Sequence, residues 1–149
     1  MNRFSRTLMM FTLIGLTVGS VAAFTISEKF DPDGAFWIIG EHPNEFLDFS
    51  GINLNAKRLR RLPPSGVELN TGRRFRFKTL SVTRDQLSFT TVTVGGVSYT
   101  FTGKFLKGGV YEANDLDPET PVLEGILTKF KAGKKVADAE LKFGYFAGT

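Results

Sequence analysis

The chain has 149 residues, no cysteine, one histidine and one tryptophan. Without cysteine there is no disulfide framework, no thiol chemistry and no residue for a lipid anchor. One histidine, His42, cannot supply the His and Cys clusters that zinc sites require. It would have to be the base of any Ser-His-Asp arrangement, and no Gly-x-Ser-x-Gly segment offers a nucleophile. The sequence therefore predicts no cofactor and no catalytic residues of these kinds, and His42 reads as a loop residue. After the first two dozen positions no apolar run approaches the roughly 18 residues of a spanning helix. A long amphipathic helix and an internal repeat are missing too.

What is present begins with a leader. Arg3 and Arg6 precede the apolar stretch from Leu8 to Leu16, and Val21-Ala22-Ala23 supplies small residues for a peptidase. This is the pattern of a cleavable export signal over 1–23. It leaves Phe24–Thr149, about 126 residues and the size of one domain. The expected location is periplasmic or extracellular, with no transmembrane span in the mature form.

That domain shows a period of two. Leu87 to Val94 and Val97 to Thr102 alternate on either side of Gly95-Gly96, the chemistry of a tight hairpin with positive φ at both turn residues. Val122 to Phe130 and Val136 to Phe146 flank Lys131-Ala132-Gly133-Lys134-Lys135 as a second hairpin. In its return strand Ala137, Ala139, Leu141, Phe143 and Tyr145 alternate with Asp138, Glu140 and Lys142, so one face is dry and the other wet. Weaker strand signals cover Phe24 to Phe30, Ala35 to Ile39, Ile52 to Ala56, Arg74 to Val82 and Val110 to Glu112. His42 to Leu47 could form one helical turn, and Pro63-Pro64-Ser65-Gly66 reads as a break. Eight to ten short strands predict an all-β fold, an antiparallel sandwich or a closed barrel. Thirteen of the 15 Phe lie beyond the leader and are expected to fill the core. A barrel of eight strands could instead enclose a small ligand. A lipid-facing barrel would need an uninterrupted outward apolar band, and most runs here are too short.

Charge is uneven. Residues 24–56 carry six acids and one Lys, whereas 57–78 carry eight basic residues and only Glu68. Arg58, Arg60 and Arg61 precede the Pro-Pro break; Arg73, Arg74, Arg76 and Lys78 follow it. If the two runs pair, they make one guanidinium-rich surface suited to carboxylate, sulfate or phosphate. The competing reading is a solvated strand face balancing the acidic segment. The mature chain would carry 17 basic and 15 acidic residues, too small an excess to imply nucleic acid. Asp31 and Asp33, and Asp115, Asp117 and Glu119, are weak calcium candidates that fit no EF-hand and read equally as Asp-Pro turns. The expected function is a non-catalytic binding or structural module of the envelope or extracellular space, with anionic polysaccharide or another envelope component as partner. The alternative is a carboxylate-based hydrolase of envelope polymers, which needs a cleft holding two acids roughly 5–10 Å apart.

Overall fold

Alternation is realised as strands along most of the described residues. The computed structural model describes residues 31–58, 60, 63–106, 117 and 119–146. The expected leader at 1–23, the expected strand at 24–30 and the candidate at 110–112 lie outside them. The strands are β1 (Gly34–Ile38), β2 (Phe49–Leu54), β3 (Gly66–Leu69), β4 (Arg74–Phe75), β5 (Phe77–Val82), β6 (Gln86–Thr91), β7 (Val97–Phe105), β8 (Leu123–Lys131) and β9 (Lys134–Phe146). A 3₁₀ turn at Asn44–Phe46 sits within the expected helical turn.

Among the described residues all pairings are antiparallel and the nine strands form one sheet, in the order β4-β3-β2-β1-β9-β8-β7-β6-β5. Only Arg76 separates β4 from β5. β4 pairs with β3 at one edge and β5 with β6 at the other, so Arg74–Val82 supplies both edges. The sheet thereby comes round into a nearly closed up-and-down barrel, not two packed sheets. Where the edges meet, Val92 N–H donates to the Arg76 carbonyl at 2.9 Å.

The Gly95-Gly96 turn has φ of 58° and 77°, as the hairpin chemistry requires. The β8–β9 connection is tighter than the five residues expected. Lys131 pairs with Lys134, leaving Ala132 (φ 50°) and Gly133 (φ 76°) as the turn. β3 was not expected. Its first residue, Gly66, belongs to the segment read as a break, and the strand is only four residues long.

Inward side chains make a continuous aromatic filling. Ring centroids run from Phe77 to Phe89 (4.7 Å), Phe101 (5.6 Å) and Phe143 (5.5 Å), then through Phe49 (6.4 Å) and Tyr99 (5.9 Å) to Phe75 (5.1 Å). Phe146 is 47% exposed, and Phe24 and Phe30 lie outside the described residues, but the expected Phe core is present in eight buried Phe. Room for it comes from Gly103 and Gly125, which face each other across β7 and β8 under the Phe101 ring. The outer wall carries charge: Lys104 near the end of β7 pairs with Glu124 near the start of β8 at 2.9 Å, and in mid-strand Asp138, Glu140 and Lys142 alternate outward on β9. These strands thus lack the uninterrupted apolar band of a lipid-facing barrel. No helix among the described residues is long and apolar enough to cross a membrane.

Tyr99 is 1% exposed, and burial, reinforced by the Asp48 carboxylate, pushes its phenol from 10.0 to about 12 despite the opposing Arg73 guanidinium. The folded state holds this proton more tightly than the unfolded chain. The contribution is whole below pH 10 and is lost as pH rises from 10 to about 12, a loss of about 2–3 kcal/mol. Urea unfolding followed across that window should show this fall, and Tyr99→Phe should flatten it.

Candidate binding site at the barrel mouth

The two ends of the barrel differ. At one end the chain turns through 39–48, 70–73, 92–96 and 132–133. Here the 3₁₀ turn drops Phe46, 1% exposed, into the interior. Lys129 donates to the Glu45 carbonyl at 3.0 Å and faces Asp48 at 3.7 Å, holding the plug in place. At the other end β1, β3, β6 and β8 begin and β2, β5, β7 and β9 finish.

This second end holds a hollow of about 240 Å³, walled by Pro32, Leu54, Ala56, Leu80 and Val82 with Ser65 at its edge. A β-bulge creates it. Phe77 pairs with Thr91 but Thr79 pairs with Thr90, so Lys78 is the extra residue. The bulge reverses the inside and outside of β5. Phe75 and Phe77 point inward as expected, but beyond Lys78 it is Leu80 and Val82 that face the interior, opposite Phe89 and Leu87. Leu80 remains 41% exposed because the wall across from it is the hollow.

Asp33 fixes the rim. It is 5% exposed, and its two carboxylate oxygens accept the backbone N–H groups of Ala56 and Lys57, each at 2.8 Å. Its carbonyl accepts the Tyr145 hydroxyl at 2.7 Å, and Asp31 meets the Lys57 ammonium at 2.6 Å. Asn55 N–H donates to Ser65 Oγ at 2.9 Å, closing the neck of the 55–65 connection. The Asp-Pro-Asp segment is the expected local turn, with the Asp33 N–H donating to Asp31 Oδ1 at 3.3 Å, and also a non-local cap whose acids hold backbone and Lys57. Asp117 Oδ1 accepts the Glu119 N–H in a local turn. Asp115 lies outside the described residues, among which no three His, Asp or Glu gather as metal ligands.

The basic residues fall into two groups at opposite ends of β3. Arg58 and Arg60, both exposed, are on the 55–65 connection at the mouth, where Arg58 has a left-handed φ of 53°. Arg61 is outside the described residues. Arg73 and Arg74 lie at the far end, where Arg74 binds Glu68 through Nε and Nη2 at 3.3 and 3.2 Å. Arg76 sits at the β4–β5 junction and Lys78 at the bulge, both exposed. What pairs is β3 with β4 through the 70–73 turn, so the two runs do not meet across the Pro-Pro segment. Arg84, also exposed, follows β5 and so stands at the same end of the barrel as Arg58 and Arg60.

A second hollow, about 600 Å³, lies on the outer wall beside Trp37, with Glu119 among its lining residues. Asp33 is the acid lining the mouth, and both its oxygens are engaged. Among the described residues, each of these two hollows is lined by one acid, short of the pair a carboxylate-based hydrolase uses. No protein-family model, curated protein or solved structure matches this chain.

Proposed function

We propose that this is an exported, non-catalytic binding module of the envelope or extracellular space. Its barrel mouth takes the hydrocarbon end of a small anionic amphiphile. The observation that carries the reading is the mouth itself: inward-facing Leu80 stays 41% exposed beside an apolar hollow, and Arg58, Arg60 and Arg84 are exposed at the same end of the barrel. Barrel mouths are common ligand sites, and eight-strand barrels have room for one small group. A volume of 240 Å³ falls just below the range for drug-sized ligands, which suits a short chain or single ring. Arg58, Arg60 and Arg84 supply guanidinium groups for a carboxylate, sulfate or phosphate at the rim. The left-handed Arg58 adds support, since backbone outliers cluster at ligand sites. Export rests on the leader of residues 1–23.

Decanoate is a suitable probe because it combines one chain with one carboxylate. Calorimetry should show saturable one-to-one binding that weakens as salt rises. Leu80→Trp fills the hollow and should reduce affinity at least about tenfold while the circular dichroism spectrum stays that of strands. Binding of decanoate by Leu80→Trp as well as by the parent would remove the mouth from consideration.

A further inference from the structure

The groove on the outer wall is built by the same alternation that fills the core. Phe36 and Ile38 point inward from β1, so Trp37 and Ile39 point outward. Both cross-strand partners of Trp37 are glycines, Gly51 and Gly144, so neither direct neighbour sets a side chain beside the indole. The Phe146 ring steadies one side at 6.3 Å and 52°. Ile39 and Pro121 complete an apolar floor, and the groove is also lined by exposed Glu119 and Lys142. Among the described residues neither of these two side chains takes part in an ion pair.

We propose that this groove is a second binding site, for a zwitterionic group of the phosphocholine type: an alkylated ammonium joined to a phosphate. The face of an indole attracts alkylammonium groups, and tryptophan does so best among the aromatic residues. The Glu119 carboxylate adds attraction for the same cation. The Lys142 ammonium suits a phosphate as a compact point charge. A ligand of one sign would satisfy one of these groups and meet repulsion from the other, whereas a zwitterion matches both. The assignment does not depend on the barrel mouth, because groove and mouth share no lining residue.

Trp37 is the chain's sole tryptophan, so its emission reports on this groove alone. Titrating the purified protein with phosphocholine should give a saturable change in that emission. Choline chloride or inorganic phosphate alone should bind about tenfold more weakly. Glu119→Gln and Lys142→Met should each weaken phosphocholine binding about three- to tenfold. Both side chains are exposed, so both variants should unfold at the parental urea concentration. Phosphatidylcholine vesicles test the source. A response to free phosphocholine alone assigns a soluble ligand, and a response to both that weakens in the variants extends the site to lipid headgroups. No saturable response to phosphocholine, or a response that the two variants leave unchanged, overturns the proposal.

Discussion

Gly125→Val should be the most damaging single change in the barrel, although valine is the better strand former. A Cβ at Gly125 would fall onto the Cα of Gly103 and the Thr102 carbonyl oxygen, with the Phe101 ring 2.8 Å away. Two of those three obstacles are backbone of the adjoining strand, which cannot swing aside without breaking the β7–β8 ladder. Overpacking of a core typically costs 1–3 kcal/mol. Here displaced main chain adds to it, and a loss of about 3–5 kcal/mol is expected, a large share of a small domain's stability. Urea unfolding monitored by circular dichroism measures it. Trimming the ring with Phe101→Leu should not rescue the variant, because the backbone contacts remain. Recovery in that double variant would show that the ring alone sets the requirement for glycine.

The contrast between Gly125 and the rest of β8 shows what was legible in the sequence. Strands β7 and β9 alternate over long runs, and the Gly95-Gly96 pair names its own turn, so these elements could be read directly. The facing glycines could not, because their pairing depends on cross-strand register. Closure was hidden for a related reason: it turns on Arg76, one residue between two ladders on opposite edges. The mouth was the least legible part. Its walls come from Pro32, Leu54, Leu80 and Val82, far apart in the chain and sharing no motif. The bulge at Lys78 reverses the face on which Leu80 and Val82 would otherwise fall. Trp37 did leave a trace, since a period of two places it opposite Phe36 and Ile38. Arginine enrichment at 57–78 was plain, but strand connectivity decides that Arg58 and Arg74 stand at opposite ends of β3.

Asp33→Ala should cost about 2–4 kcal/mol, far more than loss of its neighbour Asp31. Two backbone N–H groups, of Ala56 and Lys57, lose a charged acceptor together, and a hydrogen bond to a charged group contributes about 1.5–3 kcal/mol. Asp33→Asn retains one side-chain oxygen but turns an NH₂ group toward the second donor, so about half the loss is expected. Asp31→Ala removes an ion pair in which Lys57 and Asp31 are 57% and 49% exposed, together with one long hydrogen bond of 3.3 Å from the Asp33 N–H, and should change stability by about 0.5–1 kcal/mol. Urea unfolding should therefore rank the variants Asp33→Ala, Asp33→Asn, Asp31→Ala, from most to least damaging. Equal effects at positions 31 and 33 would mean that the cap is a surface charge interaction. The same carboxylate determines where the 55–65 connection leaves the barrel, and with it where Arg58 and Arg60 stand relative to the hollow. Under the proposed function, Asp33→Asn should thus weaken decanoate binding even at temperatures where it remains folded, because the rim loses its fixed position while Leu54, Leu80 and Val82 keep theirs.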